Sequence, residues 1–298
     1  MRYPQGAREK SAIFCPAQAP HQGLVANHRY LFKYSVTWAL DQFWTEIAAY
    51  RVGQLVGVTV PPAYAAYIRE ESSVRCGALI EWFYDYPESQ PIRFTLGGDH
   101  LTDLVEQFDR EKGTKHNLRT IITYCRALTQ RHQLEDDWLE YWAKVLTFDA
   151  LIGNTDRHQD NWGFLWQDRE GNSPLASFAP AFDNGTSMGY ELKGSKLDRL
   201  NTREGMEAYV AKGLHHMRWE LGGARLQHAE LLAKLSSFYP RARDYVLECL
   251  NSVVPEDFDG AIHGLTQIET PQPLTPERAD LMARLLRFRH AALLTELD

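Results

Sequence analysis

Apolar positions in the first third of the chain fall in short runs broken by turn-prone residues, a pattern of strands rather than helices. Ser11 to Pro16 is one run, Tyr30 to Tyr34 alternates around Lys33, and Ala78 to Phe83 is a third. Between the second and third, Phe43, Ile47 and Tyr50 recur at helical intervals, with Asp41 placed to cap the start and Gly57 to stop the end. The pattern predicts a small sheet with one helix. Tyr86 to His100, which holds Pro87, Pro91, Gly97 and Gly98, separates this part from one with long helical periodicities. Asp137 to Gly153 keeps Trp138, Trp142, Val145 and Ile152 on one face and ends in glycine. Glu207 to Lys212, Leu226 to Phe238 and Arg241 to Val253 also read as helices, as does Arg278 to Leu297 behind the start signal of Thr275 and Pro276. We therefore expect an α+β chain of two lobes, β-rich over 1–86 and mainly helical over 87–298, with a cleft between them.

Composition narrows the classes. At 298 residues, 44% apolar and 24% charged, the chain can build a core without disulfides or metals, and disordered, collagenous and coiled-coil readings fall away. The absence of an internal repeat removes solenoids and propellers. Acidic residues outnumber basic ones, 39 to 32, for a net charge of −7, so no direct nucleic-acid partner is expected. Cys15, Cys76, Cys125 and Cys249 lack metal-knuckle or disulfide spacing and are expected to be reduced core thiols. No signal-like run follows the polar start, and the longest apolar stretch, Ala78 to Tyr84, is broken by Glu81, so a cytoplasmic protein without a membrane span is expected.

Chemistry concentrates in Gly153-Asn154-Thr155-Asp156-Arg157-His158-Gln159-Asp160-Asn161-Trp162-Gly163, where at least six side chains could ligate a cation or move a proton. About twenty residues on, past an expected hairpin at Phe164 to Trp166 and a turn at Gly171-Asn172, Ala181-Phe182-Asp183-Asn184-Gly185 brings a second carboxylate. Phosphoryl transfer needs a carboxylate to take a hydroxyl proton, hard oxygen ligands for Mg²⁺ and a cation on the nucleotide phosphates. Asp156 and Asn161, five residues apart, have the spacing of a kinase catalytic loop, and Asp183 stands where kinases place their metal-binding Asp. Lys33 on a strand and Glu46 on the next helix match the pair that holds the α- and β-phosphates.

Each residue also has a plainer reading. Asp156 and Asn161 could cap helices or close Asx turns, Lys33 could be an edge-strand charge, and Glu46 an ordinary helix charge. Gly6 could be a turn, and Glu81-Trp82-Phe83 either a strand end or the hinge whose backbone meets adenine. His158 reads equally as an active-site residue and as a structural histidine. Asp160 reads as a solvated loop residue, His215-His216 near Trp219 as packing or a surface role rather than a metal site, and Trp138 to Trp142 as core.

Taken together, these segments make the chain resemble the HipA-like kinases, the bacterial toxin-type Ser/Thr protein kinases. The resemblance runs over about residues 4 to 190: Gly6-Ala7-Arg8-Glu9-Lys10-Ser11-Ala12-Ile13-Phe14 as the glycine loop and its strand, Lys33, Gly153 to His158 with Asn161, and Phe182-Asp183-Asn184-Gly185. It implies a bilobal protein-kinase-like fold, ATP and Mg²⁺ as cofactors, Asp156 as catalytic base, and Asn161 and Asp183 as metal ligands, with His158 beside them. It also implies a protein substrate and admits an antitoxin-like partner. With one glycine in the loop, Gly6, the phosphate contacts would be completed by Arg8 or Lys10. Thr186 and Ser187, after the metal-binding segment, and Ser11, after the glycine loop, are candidates for an inhibitory autophosphorylation.

The Asp-Arg-His and Asn element alone also resembles the phosphoinositide kinases, so a lipid or small-molecule kinase is the alternative, with Lys193, Lys196 and Arg199 as its modest basic patch. A non-catalytic nucleotide-binding module would usually have lost one of Lys33, Asp156, Asn161 or Asp183. A metal-dependent hydrolase on Asp156, His158, Asp160 and Asp183 leaves Lys33 and Glu46 without a purpose.

Overall fold

A computed structural model describes residues 8–71, 73–84 and 92–297. The first lobe is a four-stranded antiparallel sheet built from β1 (Lys10–Phe14), β2 (Arg29–Tyr34), β3 (Ala63–Arg69) and β4 (Val74–Glu81), in the order β1-β2-β4-β3. Lys33 lies opposite Lys10 on one side and Ala78 on the other, so the lysine expected on a strand occupies an interior one. Between β2 and β3 runs α1 (Phe43–Leu55), whose Phe43, Trp44, Ile47, Ala48 and Val52 are fully buried.

The helix differs from expectation at its start. Asp41 sits in a single 3₁₀ turn, Leu40–Gln42, and its carboxylate pairs with Arg278 at 2.9 Å, while Gln42 occupies the cap position. Gly57 does mark the exit, in the left-handed region at φ +68°, two residues beyond the last helical residue.

The boundary between 86 and 87 lies outside the described residues. Where description resumes, β5 (Arg93–Leu96) pairs with β6 (Gly163–Arg169), which pairs with β7 (Asn172–Phe178). The Pro- and Gly-containing segment thus includes a strand, one that holds the hairpin after the Asp156 loop. Following β5 come α2 (Gly97–Leu104), α3 (Leu118–Gln130) and α4 (Trp138–Ile152). The last begins and ends as its sequence signals require: Asp137 accepts the Leu139 amide at 2.8 Å, and Gly153 takes φ +68°.

The remainder comprises α5 (Ser195–Arg199), α6 (Arg203–Val210), the hairpin β8 (Leu214–Arg218) and β9 (Arg225–Gln227), then α7 (His228–Phe238), α8 (Pro240–Asn251), α9 (Pro255–His263) and α10 (Pro276–Leu297). The helix expected from Glu207 begins four residues earlier, because the Thr202 hydroxyl accepts the Gly205 amide and caps it there. The helix expected from Leu226 loses its first two residues to β9. One continuous apolar core runs from α1 through α4 to α7, α8, α9 and α10. All four cysteines are buried free thiols.

Candidate active site

A cleft of about 460 Å³ opens between the four-stranded and three-stranded sheets. Lys33 projects into it from β2, and Nζ lies 2.8 Å from Glu46 Oε1 on the buried face of α1. The same amine pairs with Asp183 Oδ1, while Arg8 Nη2 lies 2.6 Å from Glu46 and 2.9 Å from that Asp183 oxygen. Two cations and two carboxylates, remote in sequence, thus form one cluster. Burial would raise the carboxyl pKa values, but Lys33 and Arg8 outweigh it and hold both Glu46 and Asp183 below the usual carboxylate range.

Backbone geometry aims the second carboxylate. Asp183 sits at φ +57°, a left-handed conformation that Asp tolerates better than most residues at a cost of ~1–2 kcal/mol. The next amide, Asn184 N–H, donates to Glu46 Oε2 at 3.0 Å, and the Gly185 carbonyl accepts from Gln42 Nε2 and the Thr45 hydroxyl. A Cβ on Gly185 would lie 2.4 Å from the Arg8 guanidinium, so any side chain there would displace Arg8.

The Asp156 loop leaves α4 at Gly153 and is fixed from beneath by Arg157, which is fully buried. Its guanidinium donates twice to Asp149 of α4, at 3.0 and 2.7 Å, then to the Asn161 carbonyl at 3.0 Å, the Phe182 carbonyl at 2.6 Å and Asn184 Oδ1 at 2.8 Å. Both motif segments therefore hang on one side chain. Asn154 Oδ1 accepts the Asp156 amide, and Asn161 Nδ2 donates to the Asp156 carbonyl at 2.6 Å, which closes the loop. Burial raises the Asp156 pKa, with the Asp183 charge adding to it and His158 opposing it. A raised carboxylate is a better proton acceptor.

Most of the expected site residues reach the cleft. Lys10, Glu81, Phe83 and His158 line it beside Lys33, Glu46, Asn161 and Asp183. The Phe83 ring packs 5.5 Å from both Phe94 and Phe182. Burial and the neighbouring Lys33 lower the pKa of the Lys10 amine, which has no carboxylate partner among the described residues. Gly6 lies outside the described residues.

Two expectations change, and a third gains detail. Asp160 is no free loop residue: it pairs with Arg110 at 2.9 Å, and Arg110 in turn with Asp99. Ser187 is only 2% exposed and donates to the Asn184 carbonyl at 2.6 Å, so the folded chain does not present it for phosphorylation; Thr186 and Ser11 are half-buried. His215 and His216 point to opposite sides of β8, His215 buried and His216 half-buried, and each packs against a residue of the site's surroundings. His215 Nε2 meets Asp149 Oδ2 at 3.3 Å, and the His216 ring lies 6.0 Å from that of His158. Of the basic trio at 193–199, Lys193 is tied to the Trp38 carbonyl.

Sequence reasoning missed Asp149. Its signal is a carboxylate inside the apolar stretch Val145 to Ile152, eight residues before an arginine, since such a charge must find a partner.

The donor set suits the groups a phosphotransferase would hold. Both ion pairs of Asp183 fall on Oδ1, and Asn161 Oδ1 has no protein donor among the described residues; these leave two hard oxygens at the cleft. No group of three or more His, Cys, Asp or Glu that could hold a metal ion is found among the described residues. Arg8 Nη1 is buried without a hydrogen-bond partner, an unspent donor beside the same carboxylate.

Fold and cleft define a kinase-like bilobal protein. Residues 4–253 match the HipA-like C-terminal domain family, and the chain belongs to it. It is 32% identical over 123 residues to the serine/threonine-protein kinase CtkA of Helicobacter pylori strain J99, a match covering 37% of this chain and 36% of that protein. The crystal structure of the proinflammatory kinase CtkA of Helicobacter pylori superposes with a TM-score of 0.74 at 16% identity, over 99% of this chain and 91% of that one. Shewanella oneidensis HipA, solved with HipB and operator DNA, gives a TM-score of 0.53 at 14% identity, over 98% and 64% of the two chains. No helix among the described residues is long and apolar enough to cross a membrane.

Proposed function

We propose that the protein is an ATP- and Mg²⁺-dependent kinase that transfers the γ-phosphoryl group to a Ser or Thr hydroxyl of a protein. The observation that carries this reading is the convergence of Lys33, Glu46, Arg8 and Asp183 at one end of a cleft whose floor holds the Asp156 loop. Lys33, held by Glu46, is placed to contact the α- and β-phosphates, with Arg8 Nη1 and Lys10 as further donors. Phe83, Phe94 and Phe182 offer the apolar surface an adenine ring needs. Asn161 and Asp183 would hold Mg²⁺, which when bound neutralises phosphate charge.

In the transfer the acceptor oxygen bonds to the γ-phosphorus as the bond to the β–γ bridging oxygen breaks, and the hydroxyl proton passes to the Asp156 carboxylate. Asp156→Asn removes that acceptor and leaves the nucleotide contacts, so turnover should fall by about 10²–10⁴ with Mg·ATP affinity, read by calorimetry, nearly kept. Asp183→Asn should instead weaken Mg·ATP binding, because a neutral amide is a poorer ligand for a hard dication. Incubation with labelled ATP and mass spectrometry of the products reads the first effect. Near wild-type transfer by Asp156→Asn would remove the base from this scheme.

A further inference from the structure

The hairpin of β8 and β9 ends against the loop that carries Asp156, and its last pair in register is Arg218 opposite Arg225. Directly opposed residues of an antiparallel pair project from the same face, and like charges so placed destabilise the pair. No ion pair among the described residues relieves that repulsion; the opposing charge at Arg225 is the field of Asp156. Arg225 donates to the His215 carbonyl at 3.1 Å and reaches the Thr155 carbonyl at 3.5 Å, while Arg218 reaches the Gly113 carbonyl at 3.5 Å. These are neutral acceptors, and neither guanidinium has a carboxylate within ion-pair distance among the described residues.

The charge has consequences nearby. His216, two residues before Arg218 and hence on the same face of β8, has its pKa pushed down to about 3 by burial and by Arg225, with His158 and Arg218 adding to the effect. Repulsion from Arg218 and burial also lower the Arg225 pKa, and Asp156 is the carboxylate whose field opposes them. The chain as a whole is acidic, so a positive spot beside its Asp156 loop runs against the average charge. Arg119, at the start of α3, is by contrast paired with Glu220 at 3.2 Å.

We propose that Arg218 and Arg225 form an anion subsite for the acceptor, so that the favoured protein substrate carries a carboxylate or phosphate side chain near the hydroxyl that is phosphorylated. The inference rests on the protein-kinase reading and names the substrate class of that site. Two guanidinium forks whose contacts among the described residues are to neutral backbone carbonyls keep donors free for a bidentate anion. An anion seated there relieves the cross-strand repulsion and brings the acceptor segment alongside Thr155 and Asp156.

The test uses the full chain and serine peptides of equal length flanked by Glu, phosphoserine, neutral residues or Lys. Transfer from Mg·ATP should favour the Glu and phosphoserine peptides over the neutral one by about tenfold in kcat/KM, as one charge-assisted hydrogen bond allows, and added salt should shrink the difference. Arg218→Gln with Arg225→Gln should erase the preference, while Arg119→Gln keeps it. Equal rates on all peptides in wild type, or a preference that survives the double variant, would overturn the subsite. Fluorescence anisotropy of a labelled phosphoserine peptide separates this from failure of the kinase reading. Salt-sensitive binding lost in the double variant, with no transfer to any peptide, would support the subsite and refute the protein acceptor. No binding and no transfer would overturn both. A thermal melt near that of wild type shows that the double variant is folded.

Discussion

Arg157 illustrates how much of the site depends on a group that touches no reacting atom. Its five hydrogen bonds join Asp149 of α4, the end of the Asp156 loop and the Asp183 segment, and Arg157 and Asp149 themselves are fully buried. Arg157→Met should cost ~3–5 kcal/mol in urea unfolding, because it leaves the Asp149 carboxylate buried and unpaired. Arg157→Lys keeps the charge yet cannot span five acceptors with one ammonium, so it too should lose stability. A Lys variant as stable as wild type would show that charge, not the planar fork, is what the site needs. The Asp156 loop and the Asp183 segment stood out in the sequence because polar groups crowd there after an apolar helix; Lys33, Glu46, Asn161 and Asp183 line one cleft, and Asn161 donates to the Asp156 carbonyl beside it. Asp149 and the Arg218 and Arg225 pair did not stand out, because their meaning lies in partners that only the folded chain supplies.

At the scale of elements, long helices with clear capping signals read well and short or mixed segments did not. α4 and α10 begin where Asp137 and Thr275 indicate, and Arg278 N–H reaches the Thr275 hydroxyl at 3.3 Å. β3 offers little contrast because Ala63, Ala65 and Ala66 blur the alternation, and β5 is masked by the prolines and glycines around it. The turn from β5 into α2 is a tight contact: the Gly97 amide donates to the Trp162 carbonyl at 2.9 Å, and a Cβ on Gly97 would fall 2.1 Å from the Trp162 ring. Gly97→Ala should therefore cost ~1–3 kcal/mol by overpacking and disturb the end of the Asp156 loop. Thermal melts and transfer rates read the two effects, and an Ala variant matching wild type in both would mean that Trp162 moves freely.

Across the whole molecule, buried histidines set the response to acid. His116 is fully buried and His228 nearly so; burial holds the first well below its ordinary value of 6.5 and the second near 3. Their folded pKa values are depressed, so above about pH 6.5 both states are neutral and stability is fully present. As pH falls, the unfolded chain takes up protons that the folded chain refuses, and each histidine should remove ~1.4 kcal/mol of stability per pH unit until its folded pKa is reached. Below about pH 4, protonation of unfolded carboxylates adds the loss of the depressed Asp149 and Asp183. Denaturant titrations between pH 7 and 4 should show His116→Gln flattening the upper part of this slope, and an unchanged slope would exclude it.

The core that joins the lobes has a further implication for control. Many kinases switch by swinging the helix that carries the glutamate, so that the lysine pair is made or broken. Here α1 presents Phe43, Trp44, Ile47 and Val52 to the continuous core, Trp44 Nε1 donates to the Gln272 carbonyl at 3.1 Å, and the Ser252 hydroxyl reaches the Leu55 carbonyl at 3.2 Å. Withdrawing it would open the molecule from behind, so its amides should exchange with deuterium about as slowly as those of α4, near the limit of global unfolding. Amides of α1 that exchange much faster would reveal a helix free to swing. If the protein works as the proposed kinase, such an anchored helix would keep the Lys33–Glu46 pair made, and control would fall to the nucleotide side of the cleft or to whatever occupies the acceptor face.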